Sequence, residues 1–294
     1  MRHAIKALDL NGTQYGGATG YQLDRGNEWN SEGLDSQIPE TSHHLIRRRP
    51  MADIRTRSLK TVLSALNDSL FLPQKALDGS SGLRMVMAKA ADGEPGFDAN
   101  ANAHTTRTFL RGLIHMAGVS WSPGGKAEMA LRAFAKGNGD GLTGAVGEGT
   151  VTMPTQPAPD FGFSLTALLL NNQTIKKIDS LGLEIEPNYE HDFLLGLPEP
   201  TDIIGAGVRG PLSIRLNAAV GDIDLGSGSA AVQAVFTQYT SGGGFGTNTA
   251  TFTLNGEFTV EEGIGGPSNG DVMRQLVSRP KWDGTTLGLS WAVG

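Results

Sequence analysis

The chain has 294 residues, 41 of them Gly and 14 Pro, carries no Cys, and has a formal net charge of −6. Gly stands at about twice its usual ~7%, yet Gly and Pro together stay below the ~25–30% of low-complexity chains and show no three-residue period, which excludes disordered and collagen-like polymers. The lack of Cys removes disulfide scaffolds, thiolate metal sites and Cys nucleophiles.

Hydrophobic residues at 38% and charged residues at 18% are both low, a composition that favours strands and turns. No run reaches the ~18 apolar residues of a membrane helix. The start, Met1 to Asp9, has no apolar centre of signal-peptide length, so a soluble protein made without a cleaved leader is expected. A length near 300 residues allows one large domain or two of about 150.

In chain order, the first patterned segment is helical. Leu59, Val62, Leu63, Leu66 and Leu70 recur at helical spacing after Ser58, a candidate N-cap, and before Pro73, so a helix is predicted over 58–71. The rest have period two and predict strands with one face toward a core. Ala127, Met129, Leu131, Ala133 and Ala135 alternate with polar residues, as do Phe161, Phe163, Leu165, Ala167 and Leu169. Leu212 to Ala218, Phe252 to Val260 and Leu287 to Val293 follow the same rule. Residues 271–278 fit strand or helix. Gly/Asn/Ser-rich stretches at 11–40, 92–104, 137–150 and 241–249 read as long loops, which in compact domains are usually functional.

Self-comparison finds short strings repeated in the same order. Ile5–Asp9 is echoed by Ile175–Asp179, Gly20–Asp24 by Gly182–Glu186, and Pro50–Arg55, less one residue, by Pro211–Arg215. Thr106–Phe109 with Gly112 corresponds to Thr249–Phe252 with Gly256, and Leu131–Phe134 to Met273–Leu276. Asp140-Gly141 aligns with Asp283-Gly284, and Phe161–Leu165 with Leu287–Trp291. The fold class expected is therefore all-β with minor α: two tandem β-sandwich or barrel domains, 1–172 and 173–294, divided at the turn-forming pair Asn171-Asn172. The helix and the segment 142–160 are read as insertions in the first copy. Residues 1–172 hold 17 Lys/Arg and 16 Asp/Glu, net +1; residues 173–294 hold 7 and 14, net −7.

Catalytic and ligand motifs fail on context. Gly205-Ala206-Gly207-Val208-Arg209-Gly210 matches the dinucleotide fingerprint but leads through Pro211 into a strand pattern, where a helix is required. Asn138, Asp140 and Gly141 match part of a calcium loop whose first and last carboxylates are missing. The six His show no metal spacing, and no nucleophile elbow is present. No catalytic residue, cofactor site or metal site is assigned. Arg47-Arg48-Arg49, too short for a nucleic-acid tract, suits salt bridges to a neighbouring copy, with the acidic second half as the partner. Glu257, Glu261 and Glu262 suit a subunit interface or an acidic lumen.

Three strings carry a resemblance: Ala4-Ile5-Lys6-Ala7-Leu8-Asp9-Leu10-Asn11-Gly12-Thr13; Arg49-Pro50-Met51-Ala52-Asp53-Ile54-Arg55-Thr56 before the Leu-rich segment; and Leu183-Glu184-Ile185-Glu186-Pro187-Asn188-Tyr189-Glu190 before Gly196. They resemble tail tube proteins of long-tailed bacteriophages. The resemblance implies a structural virion protein and no enzyme. Its subunits would form a β-sandwich or barrel with a flanking helix and assemble with themselves into rings. The rings would stack, with other tail proteins, into a channel through which genomic DNA passes without specific binding. If each copy is one tube fold, three chains close a pseudo-six-fold ring; otherwise six do. The hairpins expected to line the channel are 107–121 with 126–136 and 249–260 with 271–279. Two alternatives stay open: a two-domain tail-tip hub or neck protein, and a β-sandwich adhesin or carbohydrate-binding module.

Overall fold

A computed structural model describes residues 5–10, 12–15, 18–24, 26–32, 42–67, 72–78, 82–87, 104–139, 144–152, 161–205, 213–221, 227–262, 274–281 and 287–294. The chain opens with β1 (Ile5–Leu10), β2 (Thr13–Tyr15), β3 (Ala18–Asp24), β4 (Asn27–Glu32), β5 (Ser42–Arg48), β6 (Met51–Thr56) and the helix α1 (Leu59–Ala65). It continues with β7 (Gln74–Leu77), β8 (Leu83–Met87), β9 (His104–Phe109), β10 (Gly112–Trp121), β11 (Glu128–Ala135) and β12 (Val146–Val151). The remaining strands are β13 (Phe163–Leu170), β14 (Gln173–Thr174), β15 (Ile178–Glu186), β16 (Glu190–Asp192), β17 (Asp202–Ile204), β18 (Ser213–Val220), β19 (Gly228–Tyr239), β20 (Phe245–Glu262), β21 (Arg274–Pro280) and β22 (Leu289–Val293). The protein is all-β with one short helix among the described residues. All five period-two segments are strands, and the described part of 271–278 is strand.

Strand pairing repeats along the chain. β1 pairs with the hairpin strand β2 and with β8, as β13 pairs with β14 and β19. β3, β6, β11 and β10 lie side by side in that order, as do β15, β18, β21 and β20. β12 pairs with β9 as β22 pairs with β20. The register agrees at residue level: Gly20 faces Arg55 and Gly182 faces Asn217, and both members of the second pair lie 162 positions on. The two-residue connections of the opening hairpins also correspond, Ala7-Leu8-Asp9-Leu10-Asn11-Gly12 against Ala167-Leu168-Leu169-Leu170-Asn171-Asn172.

This pairing moves the division expected at Asn171-Asn172. Both residues have positive φ, 50° and 64°, the requirement of a tight type I′ hairpin. They join β13 to β14 inside the second copy. The repeated pairing pattern therefore spans β1–β12 and β13–β22, here termed the first and second copies. Ile5–Asp9 corresponds to the β13 region and not to Ile175–Asp179, and Phe161–Leu165 opens a copy where Leu287–Trp291 closes one. Pro50–Arg55 and Leu131–Phe134 fall on the strands corresponding to those of their echoes but out of register with them, and 140–141 and 283–284 lie outside the described residues. Of residues 142–160, the described stretch 144–152 holds β12, which pairs with β9 as β22 pairs with β20. Replacing Asn172 by Gly, the residue of the first copy's turn, relieves a positive φ and is expected to stabilise the fold by about 0.5–1 kcal/mol, read as a raised thermal midpoint.

Three other expectations are corrected. The helix runs over Leu59–Ala65, and Leu66 leaves helical geometry at φ −87° and ψ 65°. Ser58 makes no side-chain cap bond, its backbone N–H instead donating to Thr56 Oγ1 at 3.1 Å; Leu70 lies outside the described residues. The strand expected over 107–121 breaks at Leu110-Arg111, with β9 and β10 in separate sheets. In the second copy the same path is the unbroken β20. The Gly-rich stretch 11–40 carries β2, β3 and β4, and 137–150 carries the start of β12, because glycines such as Gly20 and Gly149 are accepted inside paired strands.

In the first copy β12, β9, β8, β1 and β2 form a five-stranded sheet apart from β10, β11, β6 and β3. The unbroken β19 and β20 merge the corresponding walls of the second copy into one sheet. Leu8, Ile54, Met85, Phe109 and Met116 fill the first interior, and Leu168, Leu216, Phe236 and Phe252 the second, all no more than 2% exposed. Phe236 and Phe252 meet edge to face with centroids 6.1 Å apart. Among the described residues most buried apolar side chains belong to a single cluster. Helix α1 packs on β20 and β22 of the second copy.

Candidate assembly surface

The two copies share one sheet. β15, the last strand of the second copy's wall, pairs with β18 on one side and with the distal part of β10 on the other, Leu181 opposite Trp121 through Glu184 opposite Gly118. A bulge at Ala117 re-aims β10 at this point. The backbones then approach so closely that a Cβ on Gly118 would lie 2.3 Å from the Leu183 carbonyl oxygen. The order β20, β21, β18, β15, β10, β11, β6, β3 is therefore continuous across the copy boundary.

Alternation places most apolar residues of these eight strands in the core and leaves mainly polar and small residues on the other face, with Phe134 and Val277 as exceptions. Gln22, Asp53, Glu128, Glu184, Glu257, Thr259 and Glu261 lie there, with Arg55, Arg132, Arg215 and Arg279. Some charges are answered across strands, Arg132 with Asp53 at 2.8 Å and Arg55 with Glu128 at 3.8 Å, and Glu257 stands opposite Arg279. Exposed pairs of this kind stabilise little. Their effect is a polar wall on which carboxylates outnumber guanidinium groups.

The chain between β15 and β18 leaves the sheet as an arm, the β16–β17 hairpin and the turn 193–201, and folds back over the ends of β10 and β11. Arg48 N–H donates to the Pro198 carbonyl at 2.9 Å and Gly137 N–H to that of Pro200 at 2.8 Å. Lys136 pairs with Asp202 at 2.7 Å, and Tyr189 donates to Gln74 Oε1. Under the arm His115, Phe134, Tyr189 and His191 form a ring cluster with centroids 5.3–6.0 Å apart. His115 is 1% exposed, with Nδ1 2.9 Å from the Met116 carbonyl; burial above all lowers its pKa to about 4. His191 lies 3.0 Å from the Ala135 carbonyl and burial likewise lowers it to about 4.

Arg47, Arg48 and Arg49 receive this arm. Arg48 pairs with Glu199 at 2.7 Å, and the guanidinium groups of Arg47 and Arg49 lie 5.1 and 5.9 Å from the Phe193 ring centre. The ion pair thus runs from the first copy to the second within one chain. Glu199 is 2% exposed, and its other oxygen accepts from Ala145 N–H at 3.1 Å. Arg48→Ala leaves that carboxylate without its cation. Since the Arg48 side chain is 44% exposed and water can enter, a loss of about 1–2 kcal/mol is expected in denaturant unfolding.

Glu257 and Glu261 are exposed on β20, away from the partner that Arg48 uses. Glu262 stands opposite Arg274 in the β20–β21 ladder. The sequence reading missed His115 on β10 and the arm residues Tyr189, His191, Phe193 and Glu199. A signal was available: the connection 25–50 and the connection 187–212 have the same length, so each copy carries the same excursion. Of the two expected channel hairpins, 126–136 and 271–279 match β11 and β21 where described.

Residues 206–210 of the Gly-rich fingerprint and 140–143 of the calcium-like segment lie outside the described residues, while the strand β18 follows the former at Ser213. Among the described residues no three His, Asp or Glu side chains converge as a metal site needs, and no helix is long and apolar enough to cross a membrane. No family model and no curated protein sequence matches the chain.

Proposed function

We propose that the protein is a structural virion component that self-assembles into stacked rings, the tube of a phage tail, with a central channel for the genome. The observation that carries this reading is the sheet shared by the two copies. Two equivalent folds sit side by side and join edge to edge, so one chain already has the form of a ring segment, and three chains complete a pseudo-six-fold ring.

The polar face of the shared sheet lines the channel. Its carboxylates repel DNA phosphates, and the small side chains between them leave a smooth wall, so the genome passes without sticking. Exposed sheet edges, a liability in a monomer, become the contacts between subunits.

Native mass spectrometry of the purified protein tests this. The expected species is three times the 30.9 kDa chain mass, or multiples of it for stacked rings. A chain that stays monomeric at every concentration and salt contradicts the reading. Rings that never stack point to a tail-tip or neck position instead of a tube.

A further inference from the structure

The contact between the two copies has a donor side and an acceptor side. The second copy donates the edge of β15 and the arm that follows it. The first copy accepts β15 on β10 at Gly118–Trp121, beyond the stretch Gly112–His115 that β7 covers.

The first copy has the same donor features in the same order. β3 ends the large sheet, and it is followed by the hairpin β4–β5 on a connection equal in length to that of the second arm. The second copy has the same acceptor. β19 stops covering β20 at Gly228, opposite Phe258. Beyond it Thr259–Glu262 pair with β21 on one side, and among the described residues no strand pairs with them on the other.

Pairing fixes the correspondence. Met116 faces Leu131, which faces Ile54; Phe258 faces Ser278, which faces Leu216. Val119 and Val260 are matched in the same way through Met129 and Leu276. Six strands lie between β3 and β20 in the shared sheet, a separation of roughly 34 Å along the sheet at ~4.8 Å per step. Among the described residues β3 pairs with β6 alone and Thr259–Glu262 with β21 alone, so within one chain the donor does not engage its own acceptor.

We propose that β3, with the β4–β5 arm behind it, adds to Thr259–Glu262 of a second copy of this chain as β15 adds to Gly118–Trp121. Gln22 then faces Thr259, Tyr21 faces Val260 and Gly20 faces Glu261 of the neighbour. The contact joins the half of net +1 to the half of net −7; residues 161–172 carry no charge, so the revised boundary leaves this contrast intact. This inference rests on the ring-forming reading and adds to it which strands close the ring.

The natural chain has no Cys, so engineered pairs report without background. Directly opposed residues of antiparallel strands fall within disulfide reach, and Gln22 and Thr259 are both exposed. Gln22→Cys combined with Thr259→Cys is expected, on mild oxidation, to convert most of the protein into covalent species of two and three chains that reductant reverses. Each single variant is expected to remain one chain on the same gel. Rings visible by electron microscopy without this cross-link overturn the strand assignment and leave the ring reading standing. Cross-linking of Gln22→Cys with Glu261→Cys in its place overturns the register. Equal cross-linking by the single variants overturns the donor–acceptor arrangement. A chain that never associates overturns both this inference and the ring reading.

Discussion

Gly118→Val is expected to destabilise the protein by about 3 kcal/mol or more, lowering the thermal midpoint by roughly 5–10 °C. The new Cβ would lie 2.3 Å from the Leu183 carbonyl oxygen, a backbone atom held in the ladder between β15 and β18. Neither strand can retreat without losing the pairs that join the copies. Amide exchange is expected to rise at residues 118–121 and 181–184 together, because both sides of one junction open. Gly118→Ala has the same sign, since the clash begins at Cβ. Gly182→Ala on the facing strand is the control. Nothing lies within 4 Å of its added Cβ, so a change within about 0.5 kcal/mol is expected. A Gly118→Val protein as stable as its parent would show that the copies are not joined here.

Acid is expected to loosen the same region. His115 and His191 are held near pKa 4 by burial, against an ordinary 6.5. Between those values the unfolded chain takes up protons that the folded chain refuses, so stability falls as pH drops from about 6.5 to about 4 and levels off below. Above pH 6.5 neither ring contributes any dependence. The gap corresponds to about 3 kcal/mol for each ring. Thermal midpoints measured from pH 7 to pH 4 are expected to fall more steeply in the parent than in a His115→Gln, His191→Gln double variant. Carboxylates titrate in both proteins, so the difference isolates the two rings. Identical slopes would mean that the arm does not bury them.

Local pattern carried far in this chain, and its failures have physical causes. Leu131 and Ala133 or Ile214 and Leu216 alternate with polar neighbours because one face of each strand meets a core, and such strands were legible. Gly20 and Gly149 read as loop because glycine is permissive anywhere, yet both lie in paired strands. Asn171-Asn172 reads as a boundary because it is turn-forming between apolar runs, and only the pairing of β13 with β14 shows that the turn belongs to a hairpin. Gly20–Asp24 and Gly182–Glu186 hold the same place in their ladders, Gly20 opposite Arg55 and Gly182 opposite Asn217. The first and last members of the repeat were mispaired, since five-residue strings do not encode which strand lies alongside. The Arg47–Arg49 run was flagged by charge, but its partner Glu199 was not. Glu199 is an ordinary carboxylate in sequence, and its burial arises only when the arm folds across the first copy.

Electron microscopy of the purified protein, viewed down the assembly axis, tests the central claim most directly. The expected image is a closed ring with a six-lobed outline from three chains around an open channel, stacking into tubes at high concentration. Only globular single chains, under every condition tried, would contradict it.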